Sequence, residues 1–170
     1  MVVDIFDFAR HGKQVSADTA LASFARLLEG QADQDPSALV KWSVRGSVNG
    51  QGQMFLHIQA AAEPRLVCQR CLGPVAWPVQ VDVRVQLVTT EEELDTDDTD
   101  DQPEKIQGST RFDVLSLIED ELILDLPYVP RHENESCPVR HESLDAPADT
   151  SSGQKPSPFA VLGQLRKNPD

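Results

Sequence analysis

Apolar residues occupy every second position of Val79-Gln80-Val81-Asp82-Val83-Arg84-Val85-Gln86-Leu87. A period of two puts the five apolar side chains on one face of a β-strand and Gln80, Asp82, Arg84 and Gln86 on the other. Leu39 to Val48 follows the same rule through Val40, Trp42 and Val44, and Met54-Phe55-Leu56-His57-Ile58 opens a third run that continues through Ala60 to Val67. Asn49-Gly50-Gln51-Gly52 between the runs at 39–48 and 54–67 has the composition of a tight turn, so these two should form a hairpin. The middle of the chain therefore reads as an antiparallel meander of at least three strands. His57 sits within it as a half-exposed strand histidine with no partner base or nucleophile in view. Between Val67 and Val79 the chain must reverse, and Gly73 and Pro74 supply turn residues. That places Cys68-Gln69-Arg70-Cys71 at a hairpin tip.

Outside the meander, the alternation of residues 2–8 predicts a first strand at a sheet edge. Leu21, Phe24, Leu27 and Leu28 lie at helical spacing and predict an amphipathic helix over Ala17 to Glu29, capped by Ser16 or Asp18 and ended by Gly30. A second helix is predicted over Asp113 to Asp125: Val114, Leu117, Ile118 and Leu122 follow a 3.6 period, Asp113 caps the start and Pro127 stops it. Glu119-Asp120-Glu121 on that helix read as a solvated face. The fold class is α+β: an antiparallel meander with a CxxC hairpin tip, packed by two amphipathic helices. Residues 1–141 make the single domain, interrupted by an acidic disordered loop at 91–108. Residues 142–157 read as a flexible linker and 158–167 as a short C-terminal helix, whose Phe159, Leu162 and Leu165 form a stripe able to dock on a partner or on the domain itself.

Charge changes this picture in one place. The formal net charge is −13, and Glu91 to Glu104 holds nine acids and no base, which leaves −4 for the rest. Such a block repels itself and stays solvated, or serves as an arm for a basic partner such as a ribosomal protein. Free nucleic acid meets a repulsive average field, so direct contact requires a locally basic face. No run approaches the roughly 18 apolar residues of a membrane span, and the first residues lack the pattern of a secretory signal, so a soluble cytoplasmic protein is expected. Three cysteines cannot all pair within one chain, which favours a metal or structural role over a disulfide framework.

Cys68 and Cys71 from the hairpin, with His132 and Cys137 from the segment after the second helix, have the ligand types of a structural zinc site, in which thiolate and imidazole complete a tetrahedron. His141 competes for the fourth position, and plain reduced thiols are the alternative. A redox dithiol is disfavoured, because a strand rather than a helix N-terminus follows the CxxC. The sequence contains no glycine-rich phosphate loop, no GxSxG and no HExxH, and the residues compose no active centre. The expectation is a binding protein rather than an enzyme.

Three blocks carry a more specific signal: Cys68-Gln69-Arg70-Cys71 with its flanking strands; Phe112-Asp113-Val114 through Glu119-Asp120-Glu121 to Leu126-Pro127-Tyr128-Val129-Pro130, ending at His132 and Cys137; and Pro158-Phe159-Ala160-Val161-Leu162. In order and spacing, the chain from Val67 onward resembles the bacterial YceD family of large ribosomal RNA subunit accumulation proteins. The resemblance implies a non-enzymatic ribosome-biogenesis role in synthesis, processing or stability of 23S ribosomal RNA. The expected partner is 23S RNA or a pre-50S particle, reached through a basic large-subunit protein, with Arg65, Arg70, Arg84, Arg131 and Arg140 making any RNA contact. No membrane and no small-molecule substrate is implied. The alternative is a zinc-clipped adaptor that binds a basic protein through the C-terminal helix.

Overall fold

The computed structural model describes residues 1–94, 103–133 and Cys137. In chain order the elements are β1 (Val2–Val3), α1 (Ile5–Arg10), β2 (Gln14–Ala20), β3 (Leu39–Val48), β4 (Met54–Ala62), β5 (Arg65–Val67), β6 (Pro74–Ala76), β7 (Val79–Val88), β8 (Lys105–Gln107), β9 (Phe112–Asp113) and α2 (Val114–Leu124). The fold is α+β. Five strands form one sheet in the order β2-β3-β4-β7-β8, antiparallel except for the parallel pair β7 and β8. The period of two is realised as register: Val44, Ile58 and Val83 stand in one row across three strands, and Trp42, Ala60 and Val81 in the next. α1 packs on β3 and β4, and α2 on β7 and β4. Between helices and sheet lies the main core, with Ile5, Phe8, Val40, Val44, Leu56, Ile58, Val85, Ile118 and Leu122 buried.

Each helix has a local cause. Asp4 accepts from the backbone N–H groups of Phe6 and Asp7 at 3.1 Å each, and Ile5, Phe8 and Ala9 fall on one buried face, so α1 forms where a strand over 2–8 is predicted from alternation. Only Val2–Val3 pairs as a strand, with Phe112 and Asp113. α2 starts as its pattern indicates, Asp113 accepting from Leu115 N–H at 3.1 Å. α1 can sit close to the sheet because position 46 is glycine: a Cβ on Gly46 would meet Ala9 Cα at 2.5 Å.

The helix predicted over Ala17 to Glu29 is absent. Gln14–Ala20 instead pairs along β3, with Val15 opposite Val44 and Thr19 opposite Val40, the two residues of the strand that are partly buried. Leu21, Phe24 and Leu27 do reach the core, but from a short 3-10 turn and successive turns, a geometry whose spacing of three mimics a helix. The solvated reading of Glu119 and Glu121 also fails, since both are buried. Glu119 receives Arg26 N–H at 2.7 Å, Leu27 N–H at 3.2 Å and Arg26 Nε at 2.9 Å, and so fastens the turns of residues 24–30 to α2. Within the segment assigned to a disordered acidic loop, Glu91–Glu93 forms a 3-10 turn with a Thr90/Glu93 capping box, and Lys105–Gln107 is a strand of the sheet. Residues 95–102 lie outside the described residues, as do Arg140, His141, the linker at 142–157 and the closing helix with Phe159, Leu162 and Leu165. No helix among the described residues is long and apolar enough to cross a membrane.

Candidate metal centre

The third strand run does not continue unbroken to Val67. Glu63 and Pro64 end the pairing of β4, and Arg65–Val67 turns away to form its own two-stranded ladder with Pro74–Ala76, Val67 opposite Pro74. Cys68 to Gly73 make the connection, closed by Cys68 N–H to Gly73 O and Leu72 N–H to Cys68 O, both 2.9 Å. The left-handed conformation in this turn falls on Leu72, at φ 58°, rather than on Gly73. The free edge of β5 is covered by side chains in place of a strand: Gln34 accepts Arg65 N–H at 2.8 Å and donates to Arg65 O at 2.9 Å, and Gln31 accepts Val67 N–H at 3.2 Å.

After α2, Pro127 prevents further helix and the chain runs back past the hairpin, where Pro130 O accepts Gln69 N–H at 2.9 Å. This return brings His132 and Cys137 to the two hairpin cysteines. The ligand atoms of Cys68, Cys71, His132 and Cys137 all lie within 4.8 Å of one another, a group that can hold a metal ion. Cys68 Sγ is 3.6 Å from Cys137 Sγ, and His132 Nδ1 is 3.6 Å from Cys71 Sγ and 3.5 Å from Cys137 Sγ. All three cysteines are free thiols. Cys68 and Cys137 are buried beside Leu66 and Val75 in a second small core, which meets the main one through Trp77 and Leu126.

The surroundings ease ionisation of two of the three thiols, Cys68 and Cys137, while the neighbouring Cys137 sulfur raises the third, Cys71. Burial alone would raise the Cys68 thiol, but the backbone N–H groups of Arg70, Cys71 and His132 point to its sulfur and bring its pKa down to about 5. Burial likewise opposes Cys137 ionisation, and the hydrogen bonds from the Arg70 guanidinium, Cys71 and His132 together bring this thiol below its ordinary value. His132 Nε2 lies 3.0 Å from Pro74 O, so this nitrogen donates to the carbonyl and leaves Nδ1 turned to the three sulfurs.

The arginines expected near the hairpin divide. Arg65 belongs to β5, and Arg131 lines an open pocket of about 440 Å³ with Trp77, Pro78 and His132. Arg70 bonds Cys137, a role the sequence reading did not give it. Arg84 is elsewhere: it stands on the sheet face turned away from the helices, its Cζ 3.9 Å from the Phe55 ring centroid. At about 3.4 Å per residue it is roughly 17 Å along β7 from Val79, the end nearest the hairpin.

Comparison with known proteins gives the family. Residues 56–166 match the family model described as large ribosomal RNA subunit accumulation protein YceD. A protein of Haemophilus influenzae named large ribosomal RNA subunit accumulation protein YceD is 32% identical over 103 residues, which cover 60% of this chain and 59% of that relative. No solved structure matches the chain. The matched region takes in the β4 to α2 half of the fold and all four members of the Cys/His cluster, and the chain belongs to the YceD family of large ribosomal RNA subunit accumulation proteins.

Proposed function

We propose that the chain is a non-enzymatic ribosome-biogenesis factor supporting the synthesis, processing or stability of 23S ribosomal RNA in the pre-50S particle, and that one structural zinc ion clips its CxxC hairpin to the segment after α2. The family supports the first part. The observation that carries the second is the spacing of the four ligand atoms. Zn–S bonds of about 2.3 Å and Zn–N bonds of about 2.0–2.1 Å give a tetrahedron with S···S edges of about 3.8 Å and S···N edges of about 3.5 Å. Three of the six separations are 3.6 Å for the Cys68 and Cys137 sulfurs and 3.5 and 3.6 Å for His132 Nδ1 to the Cys137 and Cys71 sulfurs, and all six are within 4.8 Å.

Four protein ligands leave no coordination position for water or substrate, which suits a structural centre and not a catalytic one. Three thiolates and a neutral imidazole around a divalent ion total one negative charge, and the Arg70 guanidinium at Cys137 offsets it. The test of the function is genetic. Cells depleted of the protein should show a fall in 23S relative to 16S RNA and fewer large subunits, restored by the intact chain; an unchanged ratio overturns the reading. The metal is tested apart from it, by elemental analysis of protein purified without chelator: about one zinc per chain is expected, and metal-free protein with an ordered hairpin rejects the clip.

A further inference from the structure

Among the described residues the helices cover one face of the sheet and leave the other uncovered along most of its length, and on that second face cations outnumber carboxylates. Register places Arg45, His57 and Arg84 in a single row across β3, β4 and β7. The row on one side holds Ser47, Phe55 and Gln86, and Lys105 stands next to Gln86 on β8. The row on the other side holds Ser43, Gln59 and Asp82, and Lys41 shares this face one alternation further along β3. Lys41, Arg45 and Arg84 are exposed on this face and Lys105 is half-buried at its edge; among the described residues the carboxylates here are Asp18, Asp82 and, in a depression with Gln86 and Lys105, Glu93, in a chain of net charge −13. The Asp82 carboxylate is already engaged, with His57 Nε2 at 2.7 Å and Gln59 Nε2 at 3.0 Å.

Two features make this more than a solvated strand surface. Among the described residues the side chains of Lys41 and Arg45 make no hydrogen bond or ion pair, although the chain carries nearly twice as many acids as bases. Arg84 is held over Phe55, whose own ring is buried, so the guanidinium is set in place on this face. Beside them an open depression of about 530 Å³ crosses β2, β3, β4 and β7, lined by small side chains such as Ser16, Ser43 and Ala61 with Lys41, Asp18 and Asp82 at its charged positions. A flat sheet with small side chains, fixed cations and hydrogen-bonding glutamines fits the backbone of an unpaired RNA strand laid across it.

We infer that the open face of the five-stranded sheet is an RNA-binding surface for single-stranded segments of ribosomal RNA, with Arg45 and Arg84 contacting phosphates and Lys41 and Lys105 extending the track. The proposal rests on the reading that the chain works on large-subunit RNA, and it replaces contact through the hairpin arginines by contact through the sheet.

The full chain is titrated by fluorescence anisotropy against a labelled single-stranded RNA of about 20 nucleotides, longer than the roughly 4–16 that one such surface covers. Wild type is compared with R45A/R84Q and K41E/R45E, and with R65A/R131A as the control near the hairpin; circular dichroism checks the fold of each. Both sheet variants should bind at least about tenfold more weakly, and R45A/R84Q should lower the slope of log K against log salt by about 1.4, the loss of two phosphate contacts at about 0.7 each. The control should bind as wild type. Absence of binding by the wild type at about 50 mM salt, undiminished binding by the folded sheet variants, or equal loss in the control overturns the assignment. Binding of a polyaspartate peptide in place of RNA, lost in the same variants, overturns it in favour of an acidic protein partner. If R45A/R84Q restores 23S RNA fully in depleted cells, the sheet assignment falls and the family role stands; if depletion leaves 23S RNA unchanged, the family role itself falls.

Discussion

Removing the proposed zinc ion should release the hairpin and leave the sheet intact, and the reason lies in how the two cores are joined. The second core buries only Leu66, Cys68, Val75 and Cys137, and it touches the main core through the partly buried Trp77 and Leu126. Ordering residues 65–76 costs on the order of 12–24 kcal/mol at about 1–2 kcal/mol per residue. Burial of Leu66 and Val75 returns about 3–6 kcal/mol. The shortfall of roughly 13 kcal/mol at mid-range matches the ~10–16 kcal/mol typical of a structural zinc ion. The main core owes nothing to that term. The protein contains two tryptophans, Trp42 in the main core and Trp77 beside the hairpin, so W42F leaves one reporter at the site. On chelation, Trp77 emission should shift to the red and hydrogen exchange in residues 65–76 and 126–133 should accelerate. Amides of β3, β4 and β7 should keep their protection, and the main melting transition should move by no more than a few degrees. Unchanged exchange in 65–76 after complete metal removal would refute the reasoning, as would loss of protection throughout the sheet.

E119A strands the backbone N–H groups of Arg26 and Leu27 and leaves Arg26 with its remaining partner Asp120 alone among carboxylates, so urea unfolding should show a loss of about 3 kcal/mol. G46A drives a methyl into Ala9 Cα and Phe8 O, which lie 2.5 and 2.7 Å from the Cβ position, so α1 must lift from β3 at a cost of about 3 kcal/mol, read as a fall in Tm of about 6–12 °C. Burial raises the pKa of Glu121, with Glu104 and Asp120 adding repulsion, so between the ordinary value of 4.5 and its own the folded state keeps a proton that the unfolded chain has released. Its contribution to stability therefore declines as pH rises through that window, and E121Q should melt above the wild type at about pH 7.5 and level with it near pH 4.

The period of two made β3, β4 and β7 legible, because a strand buried on one face leaves its alternation in the sequence without help from its neighbours. The cluster Cys68, Cys71, His132 and Cys137 was legible for a different reason: residue chemistry narrows the candidates, and three cysteines with a nearby histidine leave few sets to consider. What the sequence hid depends on partners far along the chain. Val15, Ala17 and Thr19 show a weak alternation that only the ladder to β3 makes decisive, whereas Leu21, Phe24 and Leu27 nearby suggest a helix. Glu119 looked solvated because Arg26, 93 residues away, is what makes its burial tolerable. β8 was masked by the acids that precede it, although Ile106 packs against the main core. Arg70 appeared as a free cation until the return of the chain after α2 set Cys137 beside it.

The ladder of Val2–Val3 with Phe112–Asp113 has a consequence for biosynthesis. The first strand leaves the exit tunnel long before its mate exists, and at about 5–20 residues per second it waits roughly 5–22 s for positions 112 and 113. The five-stranded sheet lacks only β8 until shortly before then, so the nascent chain can hold β2, β3, β4 and β7 together while its N-terminal dipeptide is unmatched. Closing that pair joins positions about 110 residues apart, which makes it a late step beside the hairpin pairings of β2, β3 and β4.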